Sequence, residues 1–312
     1  MTLLPDQVGA PGLTAPAGPG GPVPATASAG GRTLAWRRFR RNRAAMTSAL
    51  LLAFIALVSL LAPLVAHHSP TATDLDALTR PPSGSHWLGT DAAGRDVLAR
   101  VLYGGRVSLA VGLAAAALSV AVGAVLGAAA GLLGGWADGV VMRAADLMLS
   151  FPTIMVIIVL AGVLGPSVPM LVVAIALTHW PASARLVRGV ALELRDREYV
   201  LASRLAGASR SWLVRVHILP AALPPVTVAA TLAVAQAVLL EATLSFLGLG
   251  VQPPQASWGN MLNDAQSLTL IQTAPWLWLP PGLAIAVTVL AVSFVGDGLR
   301  DAVDPQQGRV AA

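Results

Sequence analysis

The amino-acid sequence predicts an all-α polytopic membrane protein with six spanning helices. Two observations indicate this fold class. Of the 312 residues, 55% are hydrophobic and only 11% are charged, and the mean hydropathy is +0.71. Such a composition needs lipid as its solvent. In addition, the chain contains six apolar segments long enough to cross about 30 Å of hydrocarbon.

The composition excludes several classes of protein. The chain has no cysteine, and all 20 of its basic residues are arginine. It therefore offers no disulfide, thiolate zinc site or iron–sulfur cluster, and it lacks the lysine of a phosphate-binding loop. We expect no cofactor to be bound by this chain. If nucleotide energy drives the protein, another polypeptide must supply it.

Residues 1–43 are expected to precede the membrane domain. Residues 1–31 are rich in proline and glycine and predict a disordered tail. An arginine cluster follows, at Arg32, Arg37, Arg38, Arg40, Arg41 and Arg43. The charge-free run from about 44 to 66 is too long for the apolar core of a signal peptide, so it predicts the first membrane helix.

Hydropathy predicts five further spans, at about 107–133, 147–164, 168–187, 223–250 and 276–296. In the second, Gly123, Gly127 and Gly131 recur every four residues, which favours close approach of another helix. A tight turn at 165–169 predicts a hairpin between spans three and four. The membrane domain is thus expected to cover 44–304, followed by a short tail at 305–312.

Arginine placement predicts the orientation. If both termini are cytoplasmic, only Arg80, Arg95, Arg100 and Arg106 lie outside, as the positive-inside rule requires. Residues 67–106 and 251–275 are then external. Because the arginines flank apolar segments, the net charge of +5 indicates anionic membrane lipid and not nucleic acid as a partner.

The stretch 185–220 is the largest predicted cytoplasmic loop. Apolar residues recur in it at roughly helical spacing, which predicts amphipathic helices broken near Gly207 and stopped by Pro220. One interpretation is a helix pair lying on anionic lipid. The other is a docking element for a cytoplasmic protein.

Motifs in this loop and elsewhere resemble a known family. The loop carries Glu198-Tyr199-Val200, Ala202, the Gly207 turn and residues 217–220 (HILP). The other matching segments are 87–96 (WLGTDAAGRD), 105–109 (GRVSL), 244–250 (LSFLGLG), 257–259 (SWG), 296–301 (GDGLRD) and 304–305 (DP). Together they resemble the C-type membrane permease subunit of dipeptide, oligopeptide and nickel ABC importers, from about residue 34 to 305.

The resemblance implies a type I ABC importer transmembrane fold that supplies half of a translocation pathway for peptides or a related solute such as a nickel complex. It implies a B-type permease, two ATPase subunits that use ATP and Mg²⁺, and an extracytoplasmic solute-binding protein as partners, in a bacterial plasma (inner) membrane. It places the ATPase-coupling contacts in the loop. The matching residues are Glu198, Tyr199, Ala202, Gly207, Ala208, Leu219 and Pro220.

Three positions depart from the family pattern. Leu201 stands where the family has an acidic residue, Ser203 where it has an alanine, and Ser293 where an asparagine is common. Loss of the acidic residue puts one polar contact to the ATPase in doubt, and neighbouring Glu198 is a candidate to replace it.

In the external loop, Asp91, Arg95, Asp96 and Arg100 alternate in sign. Spacings of four residues suit helical ion pairs from Asp91 to Arg95 and from Asp96 to Arg100. The simplest interpretation is that this loop stabilises itself. The alternative is that Asp91, Arg95 and Asp96 form a surface that meets the solute-binding protein.

Two ionisable residues fall within predicted spans. Glu241 lies deep in span five, where an unpaired charge is costly, so it predicts either a hydrogen bond to a neighbouring helix or a place on the translocation route. His179 lies near the inner end of span four and is expected at an interface or kink. Neither residue completes the chain of groups that a proton relay would need.

Histidines of the external loop suggest a metal site only weakly. His67, His68 and His86 show no regular ligand spacing and no cysteine accompanies them. We assign no metal site from the sequence.

Two other functional classes predict different features. An ion-coupled secondary transporter would show internal repeats and a chain of intramembrane ionisable sites, and neither is visible in the sequence. A non-transporting scaffold would use the cytoplasmic loop only to recruit a partner.

Overall fold

The computed structural model describes residues 36–303, which are almost entirely helical. The helices are α1 (Arg43–Leu60), α2 (Ala62–Val65), α3 (Val97–Leu133), α4 (Gly135–Ser150), α5 (Thr153–Leu164), α6 (Val168–Arg195), α7 (Glu198–Leu205), α8 (Arg210–Leu213), α9 (Leu219–Phe246), α10 (Trp258–Asp264), α11 (Leu268–Thr273) and α12 (Pro275–Val303). The expected disordered tail and C-terminal tail fall outside the described residues, so both stay predictions.

Five helical segments in the described range are long and apolar enough to span a membrane, and a sixth arises if α4 and α5 count together. This confirms the membrane fold class. Most helices extend past the predicted windows. For example, α3 begins at Val97, ten residues before the predicted span, because hydropathy marks only its charge-free part. At 37 residues it is about 55 Å long and projects beyond the hydrocarbon.

The predicted third span is not one straight helix. Its window, 147–164, straddles a bend of 89° between α4 and α5. Pro152 lacks an N–H group and disfavours helical geometry at Phe151, whose backbone is extended (φ −98°, ψ 140°). The 12 residues of α5 measure about 18 Å, too short to cross a bilayer alone.

The structure also corrects the prediction that Pro220 stops a helix. From Arg210 the chain runs without a break through α8, a π-helical segment (Val214–Ile218) and α9. Pro220 is the second residue of α9 and lies just after the π-helical segment, a local widening of the helix at which the missing proline N–H is accommodated without a break. The predicted cytoplasmic loop therefore continues directly into a helix long and apolar enough to span a membrane.

The core of the bundle is the contact of α3 with α6, the most extensive helix pair of the described chain. A Cβ atom placed on Gly123 would lie 2.6 Å from the Trp180 carbonyl oxygen, and one on Gly127 would collide with the Ala184 carbonyl oxygen. Gly131 faces Ala191 in the same way. This confirms that the three glycines allow another helix to approach closely. The predicted hairpin is also present, since α5 packs on α6.

Around this pair, α9 lies between α3 and α12, and α1 packs on α12 and α3. At the predicted external end, residues of α3, α10 and α12 share a cluster that includes Val97, Met261 and Leu277. At the predicted cytoplasmic end, α3, α6 and α9 enclose the loop helices through Leu132, Val187 and their neighbours. Each end of the α3–α6 pair therefore carries one candidate functional region.

Replacing Gly127 by alanine is expected to destabilise the bundle, because the new methyl group meets backbone of α6 that cannot move aside. Overpacking of this kind costs about 1–3 kcal/mol. The matched control is Gly162→Ala in α5, where a Cβ atom has open space. Melting temperatures of the purified variants in detergent should fall only for Gly127→Ala. Equal melting temperatures would contradict the close packing.

Candidate functional site

The loop at the predicted cytoplasmic end turns at Gly207. Helix α7 ends two residues earlier, at Leu205. The Gly207 N–H donates to the Arg204 carbonyl at 3.0 Å, and the Ala208 N–H donates to the Ser203 carbonyl at 3.0 Å. Gly207 has φ +85°, a left-handed conformation that other residues adopt only at a cost. The break expected near Gly207 is therefore present, with a physical need for glycine.

The inner side of this loop is anchored to the bundle. Val200, Leu213 and Ile218 are fully buried against α3, α6 and α9. His217 lies between the rings of Tyr199 and Trp212, with centroid distances of 5.4 and 5.3 Å. Because these contacts tie the loop to three long helices, a force applied to the loop is transmitted to them.

The outer side of the loop is apolar and basic. The Leu205 side chain is 90% exposed, and Tyr199, Leu201 and Trp212 are also exposed. The helical periodicity of the sequence suggested that the apolar residues of the loop share one buried face. In the structure some of them are buried and others are exposed. Three arginines are exposed and form no ion pair among the described residues: Arg204, Arg210 and Arg215.

The predicted coupling residues occupy two places. Glu198, Tyr199, Ala202 and Gly207 are exposed on α7 and its turn, with Ala208 half-buried beside them. Leu219 and Pro220 lie apart from these, at the start of α9. The sequence analysis did not predict that Leu205 is exposed. The one feature of the sequence that could have indicated it is an apolar residue just before the turn at Gly207.

The positions that depart from the family pattern also lie here. Leu201 is exposed beside Leu205. The Ser203 hydroxyl donates to the Tyr199 carbonyl at 2.8 Å and lies 3.3 Å from His217 Nε2. The serine therefore has a structural role within the loop, while Leu201 adds apolar surface where the family has a charge.

At the predicted external end, two arginines and two aspartates form a network. Arg95 reaches Asp91 at 2.7 Å and Asp264 at 3.1 Å, and Arg100 reaches Asp91 at 2.5 Å and Asp264 at 2.9 Å. The expected Asp91–Arg95 pair exists, although Asp91 lies in a turn and not in a helix. Because Asp264 ends α10, the network fixes the external loop to the segment before α12.

The expected pair between Asp96 and Arg100 is wrong. Asp96 is the N-cap of α3, and its Oδ1 atom accepts from the Ala99 N–H at 2.7 Å. Its Oδ2 atom lies 2.8 Å from His86 Nδ1. The capping geometry turns the carboxylate back over the helix start, so Arg100 bonds to Asp91 instead.

Glu241 is completely buried within this chain. Its Oε1 atom accepts from the Ser245 hydroxyl at 2.8 Å, and its Oε2 atom has no hydrogen-bond partner in the described part of the chain. A partner subunit can only cover more surface, so the carboxyl group does not line a path between subunits in this conformation. The geometry favours the helix-packing interpretation over a place on the route.

A groove at the α4–α5 bend contains polar groups that sequence reasoning missed or misplaced. It has a volume of about 450 Å³ and is lined by Pro152, Thr153, Ile154, His179, Gln236, Leu239 and Leu240. His179 was expected near the inner end of its span, yet α6 extends to Arg195, which places it near mid-helix. Gln236 is exposed near the middle of α9. The sequence feature that could have pointed to Gln236 is an uncharged amide within an otherwise apolar segment.

Comparison with known proteins agrees with this architecture. The family model described as "binding-protein-dependent transport system inner membrane component" matches residues 123–309. A second, the N-terminal transmembrane domain of oligopeptide transport permease C, matches residues 32–82.

Similar whole proteins are known. A Brucella suis protein named as a peptide permease is 47% identical over 280 residues, covering 90% of this chain and 93% of that protein. The dipeptide transport system permease protein of Bacillus subtilis is 39% identical over 88% of this chain and 86% of its own length. The oligopeptide transport system permease protein of the same organism is 40% identical over 86% and 88%.

These matches cover both the membrane bundle and the loop with the Gly207 turn. The chain therefore belongs to the family of binding-protein-dependent transport inner membrane components, as a C-type permease subunit of ABC importers.

Proposed function

We propose that this subunit forms half of a peptide translocation pathway in a bacterial plasma membrane, with both termini in the cytoplasm. A B-type permease supplies the other half, two ATPase subunits hydrolyse ATP with Mg²⁺, and an extracytoplasmic binding protein delivers the solute. The chain itself binds no cofactor. The observation that carries the proposal is an exposed apolar and basic loop whose inner side is tied to three membrane helices.

The loop suits docking of the ATPase. Exposed Leu205 and Tyr199 offer an apolar contact, and exposed arginines give it positive charge. Surfaces that combine exposed apolar side chains with a polar rim are typical of protein interaction sites. ATP-driven closure of the ATPases would move this loop, and the buried anchors Val200 and Ile218 would pass that movement to α3, α6 and α9.

The groove at the α4–α5 bend suits the solute path. Peptides carry backbone donors and acceptors, and the Gln236 amide provides one group of each kind. His179 and Thr153 add polar atoms along the same groove. Polar side chains inside a membrane generally mark a substrate route or a buried contact. We place the B-type subunit across this groove, where it would close the path from lipid.

The relatives' names favour peptides as the solute. Dipeptide and oligopeptide transport appear in the names of two Bacillus subtilis relatives that align along most of their length. Asp91 and Asp96 are buried within this chain, at 5% and 6% exposure, so on this proposal they support the surface that meets the binding protein, and of the three residues only half-buried Arg95 contributes side-chain surface to it. In that position the Arg95–Asp91–Arg100–Asp264 network would hold the docking surface rigid.

Leu205→Asp is expected to abolish co-purification of the ATPase subunits while the permease pair stays assembled, because a carboxylate would be desolvated in the apolar contact. The matched control is Leu75→Asp, which changes a leucine that is 79% exposed at the opposite end. Pull-down of the tagged complex from membranes measures both. Full ATPase recovery with Leu205→Asp would refute the docking surface.

The orientation can be tested by single-cysteine labelling, since the natural chain has no cysteine. Ser85→Cys and Ser209→Cys place exposed thiols at the two ends of the bundle. A membrane-impermeant maleimide applied to intact spheroplasts should label Ser85→Cys at once and Ser209→Cys only after permeabilisation. The reverse pattern would overturn the assigned topology.

Gln236→Leu is expected to reduce peptide uptake severalfold without changing assembly or basal ATP hydrolysis. The leucine side chain has about the same volume as glutamine but lacks the amide that Gln236 contributes to the groove. Thr243→Val is the control, since Thr243 is exposed on the same helix and its hydroxyl bonds only to the Leu239 carbonyl among the described residues. Uptake of a labelled dipeptide into proteoliposomes checks both variants. Equal uptake would exclude Gln236 from the path.

A further inference from the structure

Three potential metal ligands meet at the predicted external end. His68 follows the first membrane helix, His86 lies in the external loop, and Asp96 caps α3, yet one ligand atom from each lies within 4.8 Å of the others. We propose that His68, His86 and Asp96 form a binding site for a divalent transition-metal ion of the zinc–nickel class. The proposal does not rest on the transport function, although it shares Asp96 with the external loop proposed to support the binding protein. The site was not visible in the sequence, where the three residues have no regular spacing.

The distances fit a metal ion. Both imidazole Nδ1 atoms face the same Asp96 Oδ2 atom, at 2.8 Å from His86 and 3.8 Å from His68. Zinc binds histidine nitrogen and carboxylate oxygen at about 2.1 Å in a tetrahedron, which separates neighbouring ligands by about 3.4 Å. The two distances from Asp96 lie on either side of that value, and all three ligand atoms lie within 4.8 Å of one another, so ring movements of about an ångström would produce the coordination geometry.

The ligands are held in place by contacts that do not use the metal-facing atoms. Asp96 Oδ1 caps α3 through Ala99, which leaves Oδ2 directed at the histidines. The His86 backbone N–H donates to Ser83 Oγ, and its carbonyl accepts from Ser83 and Gly89. The two imidazole rings lie 4.8 Å apart at 31°. Such outer contacts are what orient the ligands of a metal site.

The charge of the cluster also suits a cation. Nearby Arg95 and Arg100 are committed to Asp91 and Asp264, and among the described residues Asp96 has no ion pair with arginine. Two neutral imidazoles and one carboxylate give a site of net charge −1. Imidazole with carboxylate is a ligand set that favours zinc, nickel or copper over magnesium and calcium.

The site keeps an open side. The His68 side chain is 41% exposed, whereas His86 and Asp96 are 13% and 7% exposed. Two ligands are thus fixed inside and the third can close from the solvent side. Water would complete the coordination, as it does in zinc sites with three protein ligands. A bound ion would join the end of the first membrane segment to the start of α3.

The test uses the full-length chain, purified in detergent through an affinity tag without histidine. Zn²⁺ is titrated at pH 7.5 in competition with a fluorescent zinc chelator. His68→Gln removes the exposed ligand with little risk to folding. Asp96→Asn keeps the oxygen that caps α3 but weakens the metal ligand. His67→Gln is the matched control, since His67 contacts the Trp87 ring and lies outside the cluster.

Wild type and His67→Gln are expected to bind one Zn²⁺ with the same affinity. His68→Gln and Asp96→Asn should weaken that binding by about tenfold or more. Equal affinities for His68→Gln and His67→Gln would overturn the proposal. So would the lack of any competition with the chelator by wild type, which would leave the cluster as a histidine–carboxylate hydrogen bond. If Asp96→Asn fails to fold, the comparison of the two histidine variants decides alone.

Discussion

The contact between α3 and α6 is the interaction on which the other parts of the structure depend. Apolar side chains gain little by leaving lipid for one another, so helices in a bilayer associate through close packing. Gly123, Gly127 and Gly131 bring the backbone of α3 against that of α6. The same two helices carry the external network at the start of α3 and the cytoplasmic loop beyond the end of α6. Their packing therefore joins the two candidate functional regions.

Polar contacts link each helix of this pair to other elements near the ends of the bundle. At the predicted external end, Arg95 and Arg100 hold the loop to Asp264 of α10. At the opposite end, Arg188 of α6 forms two hydrogen bonds with Asp138 of α4, including one of 2.7 Å. Paired charges of this kind keep a fixed geometry only when both partners are positioned by rigid elements. The Arg188–Asp138 pair therefore ties α6, which leads into the loop, to α4.

The bundle is incomplete as a pathway by itself. Its groove opens to the outside of the chain, and Glu241, the one acidic residue deep in a long helix, is enclosed and satisfied in part by Ser245. Burying a polar group without partners is costly, which accounts for the hydroxyl groups around Glu241. These features favour the proposal that the solute path forms against a second subunit, on the face where polar atoms of the groove remain exposed.

The membrane class, the glycine contact, the hairpin after α5 and the turn at Gly207 were predictable from hydropathy and from the positions of glycine and proline, because each depends on composition or on local backbone chemistry. Helix ends and the passage of the chain through Pro220 were not predicted, since they depend on the packing of neighbouring helices, and the 89° bend was missed although Pro152 is its local signal. The partners of Asp96 and Arg100, the exposure of Leu205 and the meeting of His68 with His86 were decided only by the tertiary fold. The contacts join residues that are not neighbours in the sequence, and only the packing of the helices sets the distances between them. The same packing decides which face of the loop stays exposed.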